Sequence, residues 1–242
     1  MHNVLQLGDV AKKHTPIIEL LQVRKAQNQL QIKPNLAILP SCCYALARVI
    51  KINLNTNNMK KISTLFKKDP NDLGRVINEI NPENEWVFTD GIPTRKFDGT
   101  SVAIINGEIY KRYDVKKGRQ IPNGAIPCQE ADLITGHHPH WLKCDRSKKE
   151  DKYFFEAYDK HEKWFDGTYE LCGEKIQGNP EKIKGHSLIR HGEVVLVLED
   201  DSFEYLKEYL SNPENDIEGI VFHHKIDGKM CKLRKSDFGV RR

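Results

Sequence analysis

No stretch of this chain approaches the roughly 20 apolar residues that a membrane-spanning helix requires. The nearest, LAILPSCCYALA at 36–47, is broken by Pro40 and followed at once by Arg48. The opening MHNVLQLGDVAKKH lacks the basic-then-apolar order of a secretory signal, so a cytoplasmic location with no membrane partner is expected. The six cysteines (Cys42, Cys43, Cys128, Cys144, Cys172 and Cys231) form no CxxC pair, and reduced, half-buried thiols are expected rather than disulfides. Glycine-rich phosphate cradles are missing as well. There is no G-x-x-x-x-G-K-S/T and no G-x-G-x-x-G, which excludes a P-loop and argues against a Rossmann dinucleotide site. Asp237-Phe238-Gly239 spells a kinase triplet, but no H-R-D precedes it and the match is read as coincidence. An enzyme of phosphate chemistry built from this sequence would need side-chain cations.

What is present is a polar chain of 242 residues, 30% charged and 38% hydrophobic, with a net charge of +4. The charge is uneven. Residues 1–58 carry seven Lys/Arg against Asp9 and Glu19, a net of +5, whereas the remaining residues carry 31 basic against 32 acidic. Any basic field on the main body must therefore come from local clusters. Residues 1–58 end in the Asn-rich run KINLNTNN and read as an extension of no legible function that need not be well ordered. Met59 follows directly and could serve as a start for the domain expected over 59–242.

From about Glu85 onward the punctuation is that of short strands. SVAIINGEIYKRYD (101–114) predicts a hairpin around Asn106-Gly107, and EGIVFHHKIDGKMCKLRK (218–235) another around Asp227-Gly228. YFFEAYD (153–159), TYELCG (168–173) and EVVLVLE (193–199) predict further strands. SFEYLKEYLSN (202–212) predicts a helix, with Ser202 as N-cap and Phe203, Leu206 and Leu210 on one face. Several hairpins with a few helices define an α+β fold with mainly antiparallel sheets.

The segment TRKFDGTS (94–101) is the most telling. In a strand, Lys96 and Asp98 share a face, and Gly99 can bend the chain before the hairpin. Taken alone, K-x-D-G is a weak signal. Its company is ordered, however: Arg112 in YKRYD, Glu170 in TYELCG, Glu218-Gly219 in IEGIVFH, and Lys232, Arg234 and Lys235 in CKLRK. This order and spacing resembles the covalent nucleotidyltransferase superfamily of ATP-dependent RNA ligases, DNA ligases and messenger-RNA capping enzymes. MKKISTLFKKD (59–69), PTRKFDGTS, IYKRYDVKKGR, DGTYELCGEKIQGNP (166–180), IEGIVFHH and CKLRKSDFG narrow it: the chain from Met59 onward is similar to a small single-domain family of ATP-dependent 5′–3′ RNA ligases related to a vertebrate RNA ligase. The implied fold is an ATP-grasp-like nucleotidyltransferase domain. Only seven residues follow Lys235, so the OB domain of DNA ligases and capping enzymes is not expected.

The resemblance implies that Lys96 takes AMP from ATP, passes it to an RNA 5′-phosphate, and a 3′-hydroxyl then displaces it. On that reading Lys232 contacts the α-phosphate and Glu218 holds Mg²⁺ or Mn²⁺. Glu170 bonds the ribose, Tyr169 offers a face to adenine, Arg112 holds phosphate or ribose, and Asp98 organises the pocket. Arg234 shares the strand face of Lys232 whereas Lys235 does not, yet both fit as a second cation. The expected partner is RNA with 5′-phosphate and 3′-hydroxyl ends, with no obligatory protein partner. Each residue also has a plainer reading: Glu170 and Glu218 as solvent-face glutamates, Arg112 in a surface pair with Asp114, KLRK as a charged edge strand. A DNA ligase, an adenylyltransferase for another acceptor and an inactive RNA-binding module stay open. HHPHWLKC (137–144) matches no standard zinc spacing and is read as a His-rich surface loop; His186, His191, His223 and His224 are read in the same way. KRYDVKKGR, KCDRSKK and KIK supply basic residues for a strand of RNA, with Tyr110, Tyr113 and Trp141 as stacking faces.

Overall fold

Two antiparallel hairpins, one centred on Asn106-Gly107 and one closing at Gly228, each supply two neighbouring strands to one of the two main sheets. A computed structural model describes residues 62–132 and 136–242. The expected extension over 1–58 and the start at Met59 lie outside the described residues. The strands are β1 (Ser63–Thr64), β2 (Phe66–Lys68), β3 (Val76–Ile80), β4 (Gly91–Lys96), β5 (Thr100–Ile105), β6 (Glu108–Val115), β7 (Ile126–Pro127), β8 (His138–Lys143), β9 (Gly167–Gly173), β10 (His186–Arg190), β11 (Gly219–His224) and β12 (Met230–Arg234). Three short helices accompany them among the described residues: α1 (Val87–Asp90), α2 (Lys152–Tyr158) and α3 (Phe203–Ser211).

One sheet runs β1-β12-β11-β4, the other β10-β9-β5-β6-β8-β7, and β2-β3 forms a separate ribbon. All pairings are antiparallel except that of β1 with β12. The β5–β6 turn is as the dipeptide predicts: Asn106 and Gly107 both take positive φ, 52° and 73°, the twist a two-residue hairpin needs. Tyr158 closes over it through a hydroxyl bond to the Gly107 carbonyl. The β11–β12 connection is longer than a two-residue turn. His224 N–H bonds the Lys229 carbonyl, and Asp227 accepts from Lys229 N–H.

Each main sheet has its own core. Alternate residues Ile220, Phe222, Cys231 and Leu233 of β11 and β12 pack with Leu206 and Leu210 of α3, which begins at the Ser202 cap. On the larger sheet Val102, Ile104, Ile109, Tyr169 and Leu171 pack with Phe154 and Ala157 of α2. That helix corrects the strand expected over 153–159. Its apolar residues bury at a spacing of three, and a strand there would leave Phe154 and Ala157 on opposite faces. The run 193–199 forms no regular strand either. Arg95 N–H bonds Val194 O and Leu196 N–H bonds Pro93 O, so the segment fringes β4 while Val195 and Val197 stay exposed. Cys128, Cys144, Cys172 and Cys231 are free and buried; burial raises the first three thiols to about 12 and the fourth higher still. No helix among the described residues is long and apolar enough to cross a membrane.

The Asp237 of the kinase-like triplet is structural. It is fully buried and accepts from the Arg234 backbone (2.8 Å), from its guanidinium (2.8 Å) and from Lys68 Nζ (2.7 Å). Burial would raise this carboxyl, but the bonds from Arg234 and Lys68 outweigh it and hold the group below the ordinary carboxylate value. A depressed carboxyl lends stability above the ordinary pKa and loses it as pH falls through the folded value. Asp237→Asn is therefore expected to cost about 3–5 kcal/mol at neutral pH. In denaturant titrations its gap from the native chain should close as the pH drops below about 4.

Candidate functional site

Register puts the first set of residues together. Lys96 at the end of β4 lies opposite Gly219 of β11, which lies opposite Arg234 of β12; two residues along, Thr94, Val221 and Lys232 form the next row. Strand alternation then sends Lys96, Lys232 and Arg234 to one face, with Ile220 and Leu233 on the other, core-facing side. Gly219 has a steric reason to be glycine. A Cβ there would lie 2.3 Å from the Leu233 carbonyl oxygen and 2.8 Å from Arg234 Cα. From the residue before it, Glu218 reaches back to Lys96, Oε2 to Nζ at 2.5 Å, with both side chains about one-quarter exposed.

The second sheet supplies the rest. After Lys96 the chain passes to β5, and Gly99 lies so close to β9 that a Cβ would meet Leu171 O at 2.2 Å, Cys172 Sγ at 2.9 Å and Glu170 Cγ at 3.0 Å. Gly99 thus serves a close backbone approach more than a bend, and the approach carries the Lys96 segment onto Glu170. Glu170 sits on β9 between Ser101 and Ile189, 8% exposed, and accepts at Oε2 from Ser101 Oγ (3.4 Å) and His191 Nε2 (2.9 Å).

These groups lie near enough to feel one another's charge. Burial raises the Glu218 carboxyl above its ordinary value, Lys96 pulls it back, and Asp98 and Glu170 push it further up. Lys232 is shifted down by burial, then by the charges of Arg234 and Lys96. Lys96, Lys232 and Arg234 thus share one face beside Glu218, with Glu170 on the adjoining sheet.

Arg234 keeps its place on the Lys96 face while its guanidinium pairs with Asp237 at 2.8 Å. Other expected residues are placed differently. Lys235 is 5% exposed with its amine on the Asn212 carbonyl (3.3 Å), because the strand ends at Arg234 and a 3₁₀ turn carries Lys235 away. Tyr169 alternates with Glu170 and points into the opposite core. It is 3% exposed, its hydroxyl bonds Phe165 O and its ring abuts Trp164, so it has no free face for a base. Arg112 lines a groove on β6, with Asp114 as its ion partner at 3.1 Å.

The histidines expected in surface loops are mostly not there. HHPHWLKC forms β8, with His140 1% exposed and its Nδ1 2.7 Å from the His138 carbonyl oxygen. His186 and His223 are 3% and 1% exposed, and burial with nearby His191 lowers the His223 imidazole to about 4. Sequence reasoning also missed Glu181. Nearly buried, it accepts from Asp98 N–H (2.9 Å), Arg95 Nη2 (2.6 Å) and Arg242 Nη1 (2.6 Å), tethering the backbone two residues beyond Lys96. Burial pushes its carboxyl up, but Arg242, the Asp98 N–H and Arg95 hold it down. Only a glutamate far along the chain, in a run of turn residues, carries this role, and no local pattern flags it.

No known protein-family model matches this chain, and no curated protein is a match to it.

Removing the Glu181 charge leaves Arg95 and Arg242 short of their shared partner. Glu181→Gln should cost about 1–3 kcal/mol, read as a lowered midpoint in thermal melts followed by circular dichroism.

Proposed function

We propose that the protein is an ATP-dependent RNA ligase working through a covalent lysyl-AMP, with the α+β domain acting as an ATP-grasp-like nucleotidyltransferase. The observation that carries the reading is the junction of the two sheets. There Lys96 meets Glu218 at 2.5 Å, while Lys232 and Arg234 share the face of Lys96 and Glu170 stands on the adjoining sheet. A lone ion pair would say little. An amine nucleophile, phosphate-binding cations and hydroxyl-accepting carboxylates in one half-buried space are the parts that adenylyl transfer requires.

In the first step Lys96 Nζ, freed of its proton and parted from Glu218, attacks the α-phosphorus of ATP. An N–P bond forms, the bond to the β-phosphate breaks, and pyrophosphate leaves. A 5′-phosphate oxygen of RNA then attacks the same phosphorus, returning the lysine and leaving an AMP-capped end. Finally a 3′-hydroxyl attacks the RNA phosphorus and AMP departs. Lys232 supplies positive charge for the phosphates, and burial first, then the charges of Arg234 and Lys96, lowers its amine. Arg234, steadied by Asp237, adds a second cation.

Glu218 fits a divalent cation as a half-buried carboxylate flanked electrostatically by Asp98 and Glu170. Mg²⁺ commonly binds through one or two carboxylates plus substrate phosphates, so Glu218 together with the triphosphate would hold Mg²⁺ or Mn²⁺. Bound there, it would neutralise phosphate charge.

For the RNA strand, Arg112, Tyr113, Asp114, Lys116 and Arg119 line a groove of about 410 Å³. By register Arg112 follows Lys111, the partner of Val102, so it lies beside Ser101, the partner of Glu170. Strands repeat at about 4.8 Å, which places the groove roughly 10 Å across the sheet from Glu170. Tyr113, 41% exposed, offers a ring for stacking.

Incubation with Mg²⁺ and α-labelled ATP should label the protein on a denaturing gel. The band should vanish in Lys96→Ala and fall at least 100-fold in Glu218→Ala. No band from the native chain would rule out the covalent reading, and a band unchanged in Lys96→Ala would rule out the assigned lysine. Offering 5′-phosphorylated RNA, DNA or neither then separates RNA ligation from DNA ligation and from transfer to another acceptor. In filter binding, Lys116→Ala with Arg119→Ala should weaken RNA retention and reduce the salt slope by about two.

A further inference from the structure

The proposed reaction leaves one built-in device unexplained. His191 follows β10 and is held by three bonds to β9: its N–H donates to Thr168 O at 3.1 Å, its Nδ1 lies 3.0 Å from Thr168 Oγ1, and its Nε2 lies 2.9 Å from Glu170 Oε2. Thr168 and Glu170 are two apart on one strand and so share a face, where the ring spans them. A carboxylate can only accept, so Nε2 carries the hydrogen toward Glu170 and the Thr168 hydroxyl is free to donate to Nδ1. Both ring nitrogens are thereby used, and the ring cannot turn without losing two bonds.

We propose that His191, clamped between Thr168 and Glu170, is the positioning residue that fixes Glu170 as the acceptor for a sugar hydroxyl of the bound nucleotide. The inference rests on the nucleotide-binding reading above and deepens it by assigning selectivity for ribose over deoxyribose to the Thr168–His191–Glu170 chain. Oε2 is engaged by His191 and Ser101. Accepting capacity on Oε1 is what a vicinal diol would meet, and a carboxylate held in one rotamer gains more from that hydroxyl than one free to turn. A site shaped around a hydroxyl discriminates against the ligand that lacks it, because its own polar group is then left unpaired. His191 has only 23% of its side chain exposed and acts through Glu170 instead of touching the reacting phosphorus.

The test is equilibrium binding of ATP, 2′-deoxyATP and 3′-deoxyATP to the full chain, beside rates of labelling with each. The native protein should prefer ATP to at least one deoxy analogue. His191→Ala should weaken ATP roughly tenfold while leaving that analogue unchanged, so that the preference flattens. Its labelling should show a raised KM with kcat less affected. His191→Gln, whose amide can still donate to Glu170, should recover part of the preference. Thr168→Val, which keeps the ring but removes its second tether, should fall between. Glu170→Gln combined with His191→Ala should add nothing to the larger single effect. Equal weakening of all three nucleotides in a folded His191→Ala chain, or a preference that survives it, overturns the proposal. Should His191→Ala fail to fold, Thr168→Val and His191→Gln decide the question by the same comparison of nucleotides. A native chain that binds ATP with ribose preference yet forms no adduct sinks the covalent reading while the His191 comparison still stands or falls by itself.

Discussion

Two glycines hold the account together by letting backbones touch. At Gly219 the second hairpin closes until a Cβ would strike the Leu233 carbonyl, and at Gly99 the chain crosses from one sheet to the other hard against β9. The first approach brings Lys96, Lys232 and Arg234 onto one face; the second brings Glu170 to that face from the neighbouring sheet. Neither glycine takes a positive φ, so the requirement is for space and not for a left-handed turn. An alanine at either place would push the strands apart and with them the groups that make the site.

The electrostatic arrangement follows from this packing. Lys96 is satisfied by Glu218, Arg234 by Asp237, and Lys232 is left as the cation whose amine is shifted down by burial and by its neighbours. Glu181 performs the corresponding service for the loop, gathering Arg95, Arg242 and the Asp98 N–H around one nearly buried carboxylate. Stability and the proposed chemistry draw on the same residues: the partners that fix the Lys96 loop are charged, mutually compensating and half withdrawn from water, where such pairs are sensitive to losing one member.

Much of this was legible in the chain itself. The Asn106-Gly107 turn and the helix with its Ser202 cap follow from local rules of turn and cap, whereas Lys96, Glu170, Glu218 and Lys232 stand out only as an ordered set that resembles a ligase family. What escaped has a common cause. YFFEAYD reads as a strand because its aromatics are β-prone, and only packing of Phe154 and Ala157 against the larger sheet makes it a helix. EVVLVLE has the composition of a strand but meets β4 only through a few bonds. Tyr169 and Lys235 match the family's motifs by position, while in space Tyr169 packs into the core of the larger sheet and Lys235 bonds the Asn212 carbonyl. The roles of Glu181 and His191 depend on partners 83 and 21 residues away, and no local spacing encodes those.

The central claim is that the amine of Lys96 takes AMP from ATP. Intact-mass analysis after incubation with ATP and Mg²⁺, followed by proteolysis and peptide mapping, reads this directly. The account predicts a mass gain of one AMP, located on the peptide that carries Lys96 and lost on addition of 5′-phosphorylated RNA. An unmodified chain, or AMP on any other residue, would contradict it.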